Sequence, residues 1–169
     1  RKQEQIEAVS SWWNLSRNQK KWDVNYNDRN IHEGTYLRSR QEVVLKFASE
    51  IVSARSGRIL ELGYGGGQTL VELGRLGKNE IYGIDISETL CKIARKNCYK
   101  VTNTEGKFSL NVGDAKNLQF KDDYFDVVFG IGFLQYMESP LQCLREAKRV
   151  LKRGGYFIIG QENLYGLHY

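Results

Sequence analysis

Apolar residues along the chain follow two rhythms that change over near Arg58. Before it, Ile6, Val9 and Trp13 recur at helical spacing. After a polar stretch rich in Asn and Arg, a second helical stripe runs through Tyr36, Val43, Val44, Phe47 and Ile51. Beyond Arg58 short apolar runs alternate with helical segments. Strands are predicted over 59–62, 81–85, 107–112, 125–129 and 156–159. Between them, helices carry Leu70, Leu73 and Leu76, then Leu90, Ile93, Ala94 and Val101 with an opening at Ser87. Before the last helix, Ser139 is the expected N-cap, Pro140 the first helical residue and Gln142 the reciprocal member of a capping box. Gly154 and Gly155 are expected to end that helix. Strand and helix alternating in this way imply parallel strands joined by right-handed crossovers, a doubly wound α/β sheet with helices on both faces. Ligands of such sheets bind at the carboxyl ends of the strands, where the strand order reverses.

Composition narrows this picture. The 169 residues, 41% of them hydrophobic and 12% aromatic, suit one domain with a buried core. The longest nearly apolar stretch, 127–134, contains Gly130 and Gly132 and falls far short of the roughly 20 residues a membrane helix needs. The first residues show no apolar signal core, so a cytoplasmic location is expected. The net charge of +5 is spread over Lys20 and Lys21, Arg145, Lys148 and Arg149, and Lys152 and Arg153, which read as solvated faces rather than a nucleic-acid stripe. Cys91, Cys98 and Cys143 lack the paired spacing of a zinc or redox site, and His32 and His168 stand alone, so no metal is expected. Cys91 and Cys98, seven apart on one helix, are expected to face the core.

The chemistry sits at the strand ends. The first strand runs into Glu61-Leu62-Gly63-Tyr64-Gly65-Gly66-Gly67-Gln68-Thr69, a glycine loop opening directly into a helix. Glycines at alternate positions permit positive φ and clear Cβ atoms from the path of a ligand, and the helix N-terminus behind them favours an anionic group. A dinucleotide fingerprint needs a third glycine at position 68, which is Gln68, and no phosphate loop of the G-x-x-x-x-G-K-[ST] form occurs. NAD and nucleoside triphosphates are demoted accordingly. Asp85 ends the second strand where an acid of this architecture accepts both hydroxyls of a ribose, and Asp114 follows the third.

The ordered set resembles the class I S-adenosylmethionine-dependent methyltransferases, particularly those with small-molecule substrates. Its carrying segments are 58–67, 82–87, 113–115, 125–129 and 149–155, within a resemblance running from about Arg38 to Ile159. The resemblance implies a Rossmann-like, mainly parallel sheet and the cofactor S-adenosyl-L-methionine, with S-adenosyl-L-homocysteine as product. It further implies that Glu61 helps hold the cofactor's amino group, that Gly63, Gly65 and Gly67 admit its methionine and ribose parts, and that Asp85 binds the ribose hydroxyls. Ile86 then packs on adenine, Asp114 accepts from the adenine amino group with Ala115 beside it, and the main chain at Gly130 and Ile131 closes over the methionine end.

Methyl transfer from a sulfonium is an in-line displacement, for which a dry, aligned cavity is the main requirement and a general base is optional. The sequence accordingly assigns no catalytic residue. Gln135 and Tyr136, after the fourth strand, are candidates to face a substrate, with core packing the rival role for Tyr136. The segment lacks Asn-Pro-Pro-Tyr, the form of amino-methylating nucleic-acid enzymes, and no Pro-Cys nucleophile occurs. Residues 1–57 form an expected helical extension or lid, carrying Trp12, Trp13, Trp22, Tyr26 and Tyr36; Tyr26, in a polar stretch, is the best aromatic candidate for the cofactor. His32 is a candidate base and Arg40 a candidate for the cofactor carboxylate, an exposed helix arginine being its plainer role. Residues 58–169 form the cofactor-binding core.

The expected activity is methyl transfer to an oxygen or nitrogen of a small molecule. The alternatives are an RNA or protein methyltransferase and a non-catalytic cofactor-binding module. The five predicted strands end near Gly160, whereas the family usually continues through two more, so the last strands of the fold are expected to be missing. A further segment, or a second copy in a homo-oligomer, is expected to cover the sheet edge.

Overall fold

The computed structural model describes residues 7, 11, 14, 32–53, 57–75, 79–102 and 108–161. In chain order these form α1 (His32–Ser53), β1 (Arg58–Leu62), α2 (Gln68–Arg75), β2 (Glu80–Asp85), α3 (Glu88–Thr102), β3 (Phe108–Val112), β4 (Phe125–Ile131), a short 3-10 turn (Leu134–Tyr136), α4 (Leu141–Val150) and β5 (Leu151–Gly160). Every strand expected from the apolar pattern is present. The expected first helix, with Ile6, Val9 and Trp13, lies outside the described residues, as do Leu76 and Lys107.

The strands lie in the order β3-β2-β1-β4-β5, and each neighbouring pair is parallel. The order reverses at β1, which pairs with β2 on one side and β4 on the other. Alternate residues of β1, and of β4 from Val127 onward, feed two cores, as the two-residue period of a strand requires. On one face Ile59, Ile81, Val127 and Phe129 meet Val44 and Ala48 of α1, Leu70 and Leu73 of α2, and Cys91, Ala94 and Cys98 of α3. On the other, Leu60, Leu62, Phe125 and Val128 meet Cys143, Ala147 and Val150 of α4. The three cysteines are buried and none is in a disulfide among the described residues, as expected of small apolar filler.

Three local expectations are corrected. The inward stripe of α1 is Gln41, Val44 and Ala48, whereas Val43 and Phe47 are about half exposed. Val43 and Phe47, one turn apart, share a face rotated by about 100° from that of Val44 and Ala48, and so point off the sheet. Ser139 does not cap α4: Pro140 holds the N-cap position without a side-chain bond, and Gln142 donates instead to the Lys116 carbonyl at 3.0 Å, so no capping box forms. Gly154 and Gly155 do not end α4, because β5 starts directly after Val150. The pair lies in an irregular stretch: Phe125 pairs with Leu151 but Val127 with Tyr156, so residues 152–155 bulge out. Gly154 takes φ +74° in the bulge, and Lys152 pins it by donating to both oxygens of Asp126 at 2.8 Å. Among the described residues no strand pairs with the outer edge of β5, where Tyr156 and Phe157 are exposed.

Candidate functional site

The loop after β1 leaves the sheet beside the point of reversal. Gly63, Gly65 and Gly67 all have positive φ, at 69°, 53° and 80°, which gives the alternating glycines their conformational reason. The turn closes through Gly67 N–H to the Tyr64 carbonyl at 2.9 Å and passes straight into α2. Open space is not what every glycine supplies. A Cβ on Gly63 would stand 2.6 Å from the Cβ of Phe133, and one on Gly130 would stand 2.2 Å from the Phe133 ring atom Cε1 and 2.9 Å from the Leu62 carbonyl oxygen. At these two positions the missing side chains make room for Phe133 rather than for a ligand.

Around this loop the sheet gathers three acids. Glu61, the fourth residue of β1, is only 2% exposed. One carboxylate oxygen, Oε2, is buried without a hydrogen-bond partner, while the Thr69 hydroxyl at the start of α2 bonds to the carboxylate. Burial, reinforced by the nearby Asp85 charge and only partly offset by Thr69, pushes Glu61 up to about 8. Asp85 ends β2 and is also buried. Its Oδ2 accepts Gly65 N–H at 2.9 Å and its Oδ1 accepts Ser87 N–H at 2.8 Å. Burial raises its pKa against these bonds. Asp114 follows β3 and is more open; its Oδ1 accepts Lys116 N–H at 2.9 Å in a turn closed by Asn117 N–H to the Asp114 carbonyl.

The remaining candidates divide. Ile86 is half-buried immediately after Asp85, Ala115 is buried under the second core, and Ile131 is half-buried at the end of β4. All three belong to the same carboxyl end of the sheet as the acids. Arg40 is not the exposed helix arginine of its plainer role: it is half-buried, and a Cβ on Gly132 would stand 2.5 Å from its Nη2, which locates the guanidinium at the end of β4. Gln135 is exposed and accepts from Gln161 Nε2 at 2.8 Å, and Tyr136 is exposed rather than core-packed. Trp12, Trp13, Trp22 and Tyr26 lie outside the described residues, as do the side chains of His32 and Tyr36.

Residues 60–159 match the sequence profile of the methyltransferase domain. The chain belongs to that family. An uncharacterised protein of Methanocaldococcus jannaschii is 35% identical to this methyltransferase domain over 141 residues, covering 81% of this chain and 61% of its own. The 27-O-demethylrifamycin SV methyltransferase of Amycolatopsis mediterranei is 30% identical, covering 61% and 38%. The crystal structure of a Pyrococcus horikoshii protein superposes with a TM-score of 0.64 at 34% identity, covering 80% of this chain and 61% of that one. The chain therefore spans only about four to six tenths of the length of these curated relatives. S-adenosylmethionine is the cofactor of this methyltransferase family.

Four further residues take part without being candidates on the sequence pattern alone. Gln41 and Thr69 are buried and hydrogen-bonded to each other across α1 and α2, Nε2 to Oγ1, at 3.1 Å. Their signal was a polar residue inside the apolar stripe of α1 and a hydroxyl in the first turn behind the glycine loop. Asn14 accepts from Ser87 Oγ at 2.7 Å and from Thr89 N–H at 3.3 Å, joining the N-terminal segment to the start of α3. Phe133 fills the space over Gly63 and Gly130. Nothing in the linear pattern marks those last two.

Proposed function

We propose that this methyltransferase domain binds S-adenosylmethionine at the carboxyl ends of β1, β2 and β3 and serves transfer of its methyl group to an oxygen or nitrogen of a small molecule. One observation carries the cofactor part of the reading: a buried carboxylate oxygen of Glu61 without a partner, beside a second buried acid, Asp85. A buried acid of this kind asks for a cationic or hydrogen-bond-donating group, and the cofactor's ammonium is one. The residues present fit the group.

In this reading Glu61 meets the amino group and Arg40 the carboxylate of the methionine part, with Gly130 and Ile131 along it. Gly63, Gly65 and Gly67 present main chain to the methionine and ribose. Asp85 keeps further lone pairs for the two ribose hydroxyls beyond the bonds to Gly65 and Ser87. Ile86 and Ala115 flank adenine, and Asp114 accepts from its amino group. Tyr26 is proposed as an aromatic wall from the N-terminal segment. When bound, the cofactor supplies a methyl group on a sulfonium. The chain's own task is to orient that methyl and to exclude water, since transfer disperses charge and a polar solvent favours the charged start. Phe133 and Leu62 make the floor of the site apolar.

A small acceptor is supported by the absence of the nucleic-acid signature after β4 and by the Amycolatopsis relative, whose name specifies a small molecule. Calorimetry with S-adenosylmethionine and with NAD tests the cofactor: binding of the first and not the second is expected, and a preference for NAD would sink the reading. Labelled methyl transfer across panels of small molecules, RNA and protein tests the acceptor. Transfer to RNA or protein alone would overturn the small-molecule part, and cofactor binding with no transfer to any panel would reassign the chain as a binding module.

A further inference from the structure

Thr69 does not act alone on Glu61. Gln41 donates Nε2–H into Thr69 Oγ1 at 3.1 Å, and Thr69 in turn bonds to the Glu61 carboxylate. A hydroxyl carries one proton, so an oxygen already receiving from Gln41 keeps its own proton for the carboxylate. The three side chains come from α1, α2 and β1 and are all buried. They form a directed row of donors that ends on an acid whose second oxygen is bare.

The surroundings of that acid make the row matter. Among the described residues, the titratable groups facing Glu61 are Asp85 from β2 and the Cys98 thiol from α3, and neither favours a negative charge there. Its register neighbours are Gly83 on β2 and Phe129 on β4, which bring no charge. Thr69 is the side chain that favours the ionised form. Gln41 also occupies a position that faces the apolar core, where an amide costs free energy to bury unless it is bonded. An aliphatic residue would fill the stripe of α1 without that cost, so the amide calls for a role beyond packing.

Resting on the cofactor reading above, we propose that Gln41 and Thr69 are positioning residues that hold Glu61 ready to ionise against the cationic end of the cofactor, so that cofactor capture is coupled to release of a proton from Glu61. The carboxyl O–H bond breaks, its electron pair stays on the carboxylate oxygen and the proton leaves to the buffer; the carboxylate then pairs with the incoming cation. With Glu61 pushed up to about 8 in the free protein, the carboxyl is mostly protonated near neutrality, and a cation at the bare oxygen reverses that preference.

The test is calorimetric titration of the chain with S-adenosylmethionine in buffers of different ionisation enthalpy, over a range of pH. A large fraction of one proton released per cofactor is expected at about pH 7, fading to nothing at about pH 10. Glu61→Gln abolishes the release. Thr69→Val moves its midpoint to higher pH, Gln41→Leu moves it the same way by less, and Thr69→Ser, which keeps the hydroxyl, restores the original profile. Carbon-13 NMR of the Glu61 carboxyl in the cofactor-free protein supplies a second readout, with a midpoint near 8 that rises in Thr69→Val. Binding without proton release, or an unchanged profile in Thr69→Val, overturns this inference and leaves the cofactor reading standing. Failure to bind S-adenosylmethionine overturns the cofactor reading and the coupling with it, and the carboxyl titration then decides the hydrogen-bonded row separately.

Discussion

Asp85 Oδ2 accepts the Gly65 N–H at 2.9 Å, which ties the end of β2 to the middle of the loop that follows β1. Its other oxygen accepts Ser87 N–H, and Ser87 Oγ accepts Leu90 N–H at 3.2 Å as the N-cap of α3. One carboxylate thereby shapes both the glycine loop and the start of a helix before any ligand arrives. Both donors it holds are backbone N–H groups, one in the loop and one at the head of α3.

Asp85→Ala is expected to weaken S-adenosylmethionine binding by about tenfold or more and to lower stability by about 1–3 kcal/mol, because two buried N–H groups lose their acceptor. Asp85→Asn, which keeps one acceptor oxygen, should fall between. Calorimetry and urea unfolding measure the two effects, and unchanged affinity in Asp85→Ala would remove Asp85 from the site.

Gly130→Ala places a methyl against the Phe133 ring and the Leu62 carbonyl, and overpacking of this kind costs about 1–3 kcal/mol. Part of that loss is expected to return in the double variant Gly130→Ala with Phe133→Ala, since truncating the ring opens the space. A double-mutant cycle on unfolding free energies reads the coupling. Simple additivity would mean that the Leu62 backbone, not Phe133, sets the limit.

Glu61 leaves a pH signature on stability. Its folded-state pKa is pushed up to about 8 against an ordinary 4.5, so between those values the folded chain holds a proton that the unfolded chain has released. Stability attributable to this group therefore falls as pH rises through the window, by up to about 1.4 kcal/mol per unit, and levels off above it. Glu61→Gln should flatten the curve relative to the parent in urea unfolding between those limits. Parallel curves would contradict the burial-driven shift.

Arg149 behaves otherwise than its place in a scattered basic set suggests. Its guanidinium donates to Glu146 through Nε and Nη2, to the Asp122 carboxylate and Phe120 carbonyl through Nη1, and to the Leu118 carbonyl through Nη2, all between 2.7 and 2.8 Å. The loop between β3 and β4 is thus clamped to α4. Arg149→Lys is expected to destabilise the fold by about 1–3 kcal/mol, since one ammonium cannot satisfy carbonyls on both sides of a planar fork. Glu146 is held below its ordinary range chiefly by Arg149. The stabilisation from that pair is therefore complete above the unfolded pKa and lost as pH falls, opposite in sign to Glu61. Acid titration of the parent and Arg149→Lys by circular dichroism should show the difference.

Local chemistry made much of this protein legible in one dimension. Continuous apolar runs such as 127–129 mark strands covered on both faces, and Gly63, Gly65 and Gly67 mark a turn only glycine adopts easily. Acids at positions 61, 85 and 114 lie at or just past the carboxyl ends of strands, and parallel crossovers must bring those ends to one edge of the sheet. The fold and the carboxyl-end location follow from periods and turns that depend on neighbouring residues alone.

What tertiary structure decided are the relations between residues far apart in sequence. Gln41 meets Thr69, Phe133 settles over Gly63 and Gly130, Arg149 reaches back to Leu118, and Gly154 becomes a bulge rather than a helix stop. Each depends on how elements pack in three dimensions, and the residue types alone allow other outcomes. A buried amide, a ring or a guanidinium takes its partner from whatever the sheet places beside it, so the carboxylate of Glu61 was readable as a site from the sequence, whereas the side chains that govern its charge were not.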